Sequence, residues 1–219
     1  MAVRDTPDRA VTAVEFLAVQ ALYDRQPDVL ALHAALVARA GIGVLICGPS
    51  EAGKSTLACA LWRRGYSLLG DDTAIVDTET LDARPAPRRV ALRSPSRALL
   101  GSDLWTRILA APASEPTAEG CLFHPDEVDG NRQAAVHLAA CVFLARRGAE
   151  TTGLVAPLPA AQAALALLPY TNLIRRLDAG ALIGRIGAFA AGLPAYDMTR
   201  APLAEMAAAV ERLLDARTR

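Results

Sequence analysis

Eight consecutive residues, Gly48-Pro49-Ser50-Glu51-Ala52-Gly53-Lys54-Ser55, fill every fixed position of Gly-x-x-x-x-Gly-Lys-Ser/Thr. The chemistry of that pattern is phosphate binding. Glycines let a backbone wrap with its N–H groups pointing inward, a helix N-terminus adds partial positive charge, and the lysine reaches the β- and γ-phosphates. The hydroxyl of Ser55 suits Mg²⁺, and Thr56 completes the cradle. Beyond a short helix-sized run come Asp71 and Asp72. Two adjacent carboxylates at a phosphate site divide labour, one holding Mg²⁺ and the other taking a proton from an attacking hydroxyl. Motor ATPases, GTPases, kinases and nucleotide sensors share such a cradle, so it does not name a reaction.

Positioning these groups requires a strand before the cradle and a helix after it. Val44-Leu45-Ile46 is a short β-branched run, and Leu57, Ala58 and Leu61 have helical spacing up to Gly65. We expect a hairpin of Leu30 to Val37 with Gly43 to Cys47, which sets His33 on the strand beside the cradle strand. Tyr66 to Leu69 then reads as a strand ending at Gly70, and a right-handed crossover brings that end back to the cradle. Ala74 to Val76 and Val136 to Ala145 read as further strands, the latter central. Helices are expected over Asp8 to Tyr23, Gly101 to Ile108, Ala160 to Leu168, Leu182 to Ala190 and Pro202 to Ala216, with a brief strand at Ala195-Tyr196. Thr78 to Ser96, rich in Pro and Arg, reads as loops or a strand pair. Its arginines, Arg84, Arg88, Arg89, Arg93 and Arg97, form either a solvated face or a guide for an anionic substrate. The alternation predicts an α/β fold, a mostly parallel sheet with a hairpin near its start, covered by helices. The expected organisation is a helical extension over 1–28 and a single domain over 29–219.

Composition bounds the alternatives. The chain has 219 residues, 53% hydrophobic, enough for one α/β core. Its 23 basic residues balance 23 acidic ones, so no global field draws it to nucleic acid or an anionic membrane. No signal peptide or membrane-length apolar run is legible, and a cytoplasmic protein is expected. Cys47, Cys59, Cys121 and Cys141 lack metal-ligand spacing and read as small buried hydrophobes.

The segment LHAALVARAGIGVLICGPSEAGKSTLACALWRRGYSLLGDDTAIVD, Leu32 to Asp77, resembles the catalytic core of the HPr kinase/phosphorylase family and its stand-alone relatives. The shared features are a histidine before the cradle, the Gly-Lys-Ser ending, the Arg-Gly end of the following helix and the aspartate pair. VFLARRG, PLPAAQAALALL and PAYDMTRAPLAEMAAAVERLL also look like that family's tail. The resemblance implies ATP and Mg²⁺ at Gly48 to Thr56, with Ser55 and Asp72 near the metal. It implies Asp71 as the base, Lys54 on the phosphates and His33 as a polar contact, the division between the two aspartates staying open. The acceptor it implies is a serine-type hydroxyl of a peptide, such as a lasso precursor, of a protein or of a small molecule such as free serine; a homo-oligomer is compatible. No Arg-Pro-Gly-Arg-Asn signature of a phosphorylase half is present, DGNRQAAVH being the nearest run. An ATP-binding switch without a transfer substrate is the alternative. A carboxykinase-like enzyme, which also carries Gly-Asp-Asp after a cradle, needs a longer chain.

Overall fold

The computed structural model describes residues 28–86, 88–130, 134–144, 153–171 and 178–216, with helical backbone also at Val14, Leu17, Ala18 and Ala21. The helix expected over Asp8 to Tyr23, and most of the 1–28 extension, otherwise lies outside the described residues. The elements run β1 Val29–Leu32, β2 Ala34–Arg39, β3 Ile42–Cys47, α1 Lys54–Trp62, β4 Ser67–Gly70, β5 Ala74–Asp77, β6 Asp82–Pro85 and β7 Val90–Arg93. They continue with α2 Ser96–Leu100, α3 Ser102–Leu109, β8 Glu115–Pro116, β9 Gly120–Phe123, α4 Pro125–Asp129 and β10 Val136–Leu144. The rest are β11 Val155–Leu158, α5 Ala160–Leu167 with a 3₁₀ turn Leu168–Tyr170, α6 Ala179–Gly192, β12 Ala195–Met198 and α7 Leu203–Asp215.

Nine strands form one sheet in the order β1-β5-β6-β10-β3-β2-β4, with β12 beside the far half of β10 and β11 beside β12. Only β10 with β3 and β10 with β12 pair in parallel; the other pairings described are antiparallel. The expectation of a mostly parallel sheet is therefore corrected. The physical reason is connection length: β2 to β3 and β5 to β6 are joined by turns too short for a crossover, and short turns return a strand antiparallel. The sheet is mixed, and helices cover both faces.

That coverage explains the uninterrupted apolar runs in β2 and β3. Ala35, Val37, Val44 and Ile46 face Leu57, Leu61 and Trp62 of α1 and Val210 of α7. Their neighbours Leu36, Leu45 and Cys47 face the other way, with Leu167 of α5 and Ile186 and Phe189 of α6.

The hairpin of β2 and β3 forms in the register Ala35 to Ile46 and Val37 to Val44. Its first strand is shorter than expected, because the chain bends at His33. Leu30 to Leu32 leave to pair with β5 instead. The His33 N–H donates to Tyr170 O at 2.7 Å, which satisfies the amide that the bend removes from the ladder. The Pro- and Arg-rich segment divides: β6 joins the main sheet, while β7 pairs with β9 in a separate small sheet, β7-β9-β8. Gly120–Phe123 is a strand the sequence reading missed. No helix among the described residues is long and apolar enough to cross a membrane.

Candidate active site

The β3 strand ends at Cys47, and the chain wraps through Gly48–Gly53 into α1. Gly48 packs under the end of β10, where a Cβ would stand 3.0 Å from Leu144 O and 3.2 Å from Ala52 Cβ. Gly53 caps the helix with φ of 98°, a left-handed conformation that favours glycine. The first bond of α1 runs from the Leu57 N–H to Gly53 O. The amides of Lys54, Ser55 and Thr56 stand at the open N-terminal end, where the helix offers donors and partial positive charge.

Lys54 is buried and curls back over this loop. Its Nζ donates to Gly48 O at 2.9 Å and Pro49 O at 3.2 Å and lies 3.2 Å from His33 Nε2. Burial pushes the Lys54 pKa down, against the raising effect of Asp72, Cys47 and Asp71. The β4 strand runs in the same direction as β3 with antiparallel β2 between them, so its end reaches the same edge. There Gly70 opens the tight turn to β5. A Cβ on it would stand 2.9 Å from Thr73 O.

The two aspartates carried by this turn sit in opposite environments. Asp71 is 5% exposed. One of its oxygens, Oδ2, accepts from the Ala91 N–H at 3.1 Å, and the Ser55 hydroxyl donates to its carboxylate. Burial, aided by the Asp72 charge, raises its pKa to about 7. Asp72 is 43% exposed. Its Oδ1 lies 2.9 Å from His33 Nδ1, and its Oδ2 accepts from Arg88 Nη1 at 3.1 Å. Partial burial acts to raise its pKa, but the bonds and charges of His33 and Arg88 outweigh that and hold it at about 2. His33 thus bridges Lys54 and Asp72.

Strand β7 forms the opposite wall of a cleft of about 400 Å³, lined on the near side by His33, Ser50, Glu51, Gly53 to Thr56, Asp71 and Asp72, with Arg88, Arg89, Ala91 and Arg93 across from them. Each of these arginines already meets a polar group. Arg88 holds Asp72 and Thr73, Arg89 meets Glu115, and Arg93 reaches Glu51 at 2.6 Å. Thr56 Oγ1 and Ser96 Oγ are 3.0 Å apart, tying α1 to α2.

His33, Lys54, Ser55, Asp71 and Asp72 therefore converge, while Pro49 contributes its carbonyl to Lys54. Sequence reasoning missed Thr73, Ser96 and the Ala91 amide. The alternation of Val90, Ala91, Leu92 and Arg93, buried and exposed in turn, was the legible signal for the wall.

Residues 27–85 match the family described as HPr Serine kinase C-terminal domain. That segment holds every residue of the near wall. The 27–85 segment is similar to that kinase domain. An HPr kinase/phosphorylase of Shouchella clausii (strain KSM-K16) is 45% identical over 62 residues, 27% of this chain and 20% of the relative. One of Limosilactobacillus reuteri (strain DSM 20016) is 44% identical over 63 residues, again 27% of this chain and 20% of the relative. The matched part is thus about a fifth of these HPr kinase/phosphorylases. Among solved structures, the HPr(Ser) kinase/phosphatase from Coxiella burnetii aligns with a TM-score of 0.46 and 15% identity, covering 86% of this chain and 90% of that one.

Proposed function

We propose that this protein is an ATP- and Mg²⁺-dependent kinase that transfers the γ-phosphoryl group to an aliphatic hydroxyl, a serine of a peptide or protein. The observation that carries this reading is the convergence on one cleft of a phosphate cradle, a buried lysine and two aspartates in opposite environments. The HPr kinase-related segment contains all of them.

In this reading the loop amides and Lys54 hold the phosphates. The acceptor oxygen bonds to the γ-phosphorus as the bond to the β,γ-bridging oxygen breaks, the hydroxyl proton passes to Asp71, and ADP leaves. Asp71 suits the base because it is buried at the end of β4 and an acid held near neutrality can take and return a proton. Asp72, kept ionised by His33 and Arg88, suits a cation. Ser55 Oγ and two carboxylates are hard oxygen donors, which fit Mg²⁺. Among the described residues no three His, Cys, Asp or Glu side chains gather as a cage, and Mg²⁺ is ordinarily held by one or two protein groups with phosphates and water. When bound, it would neutralise charge on the phosphate oxygens. Positioning and electrostatics carry the rate, since phosphoryl transfer leaves little covalent work to the protein.

The test is incubation with γ-labelled ATP and Mg²⁺ against serine peptides, an HPr-like protein, free serine and water. Label on a peptide or protein serine, lost in Asp71→Asn, supports the reading. Label on free serine alone would move the acceptor to a small molecule. Tight ATP binding with the label left on nucleotide would favour the switch.

A further inference from the structure

Strand β7 is the outer strand of the small sheet. Its ladder with β9 sets Val90 opposite Phe123 and Leu92 opposite Cys121, and the Ser94 N–H continues it by donating to Glu119 O at 2.8 Å. An antiparallel ladder alternates, so the even-numbered residues bond to β9, and the amides and carbonyls of Ala91 and Arg93 project from the other edge. A second observation fixes that direction: the Ala91 N–H reaches Asp71 on the far side of the cleft. Among the described residues no strand pairs with this edge, and the cleft runs along it past Arg89, Ala91, Arg93 and Pro95.

Resting on the kinase reading above, we propose that the outer edge of β7 is the acceptor track, taking an extended acidic peptide as an added antiparallel strand that ends at Asp71. Unpaired strand edges are templates for such addition, in which main-chain bonds give affinity and flanking side chains give preference. The peptide residue opposite Arg93 exchanges two N–H···O bonds with it. The residue two places further toward the peptide's C-terminus then lies opposite Ala91. Asp71 already holds the Ala91 N–H, so the ladder stops there, and a serine at that place presents its hydroxyl to the carboxylate. The preference for acidic flanks comes from Arg93. It is 58% exposed and pairs with Glu51, itself 73% exposed, and such surface pairs are weak enough for a peptide carboxylate to take Glu51's place.

The test uses the full chain and arrayed peptides with one fixed serine, flanked by randomised, all-acidic or all-basic residues. Each is also made with a single backbone N-methyl group, which removes one N–H. Nucleotide-free binding is read by fluorescence anisotropy, and transfer by label from ATP. Acidic flanks should be preferred. N-methylation two residues before the serine should weaken binding about tenfold, the worth of a main-chain bond at a fixed geometry, and methylation one residue before it should change binding less than about twofold. Arg93→Ala, which keeps the backbone, should erase the acidic preference while leaving the dependence on methyl position in place. Period-two sensitivity without any transfer would uphold the track and overturn the kinase reading. Labelling of free serine without peptide binding would do the reverse. Binding that is indifferent to the methyl position, a preference for basic flanks, or no peptide binding at all would overturn the track.

Discussion

Lys54 Nζ stands 3.2 Å from His33 Nε2, although 21 positions separate the two residues in sequence. The hairpin of β2 and β3 makes this contact, and the bend that ends β1 aims the imidazole at the lysine. Through Nδ1 the same ring reaches Asp72 at 2.9 Å, so one imidazole connects the phosphate end of the cleft to an aspartate.

Lys54→Ala should weaken ATP binding about 10- to 100-fold, the range expected for losing hydrogen bonds to a charged group. Isothermal titration of the variant against ATP with Mg²⁺ checks this. Unchanged affinity would remove Lys54 from the phosphates.

Asp71→Asn should lower the transfer rate about 10²- to 10⁴-fold, the usual contribution of a general base, with ATP affinity within about threefold. Single-turnover labelling separates the two quantities. A variant that transfers at the wild-type rate would take the base role away from Asp71.

The same substitution should stabilise the nucleotide-free protein in a chelating buffer at alkaline pH. Burial, together with the Asp72 charge, raises the Asp71 pKa from 3.8 to about 7, so the folded state holds this proton more tightly than the unfolded chain does. The wild type therefore pays no ionisation penalty below its unfolded pKa and loses stability progressively as the pH rises to about 7. Relative to wild type, Asp71→Asn should gain on the order of 1–4 kcal/mol at about pH 8 and little at about pH 4. Urea unfolding at the two pH values measures it, and an equal effect at both would contradict the burial account.

His33→Ala should raise the Asp72 pKa from about 2 toward the ordinary carboxylate range, because it removes the bond and the charge that offset burial. The stability that this depressed pKa supplies is present above the unfolded value and fades as the pH falls toward 2. Carbon-13 titration of the Asp72 carboxyl reads the shift directly; no change would assign the depression to Arg88 alone.

Gly70→Ala should cost about 1–3 kcal/mol, the usual range for forcing an extra carbon into a packed site, since its Cβ would press on Thr73 O at 2.9 Å. Thermal unfolding gives the cost. A loss of transfer beyond the fraction unfolded would show that the turn also places Asp71.

The sequence by itself determined the cradle, because its chemistry resides in eight contiguous residues whose types are dictated locally: glycines for wrapping, lysine for charge, serine for a hydroxyl. It also determined that Asp71 and Asp72 return to that cradle, since a short helix and strand leave few other paths, and it placed β10 and α7 through their strong apolar patterns. Only the tertiary structure decided the pairing direction of the sheet. Strands such as β1, β2 and β5 are apolar on both faces, and such runs carry no signal of orientation. Nor could the sequence divide the aspartates. Adjacent and identical in type, they differ because Ala91, from a strand in another sheet, meets Asp71, while His33 and Arg88 meet Asp72. Burial and charge at those distances belong to the folded chain, and no local pattern encodes them.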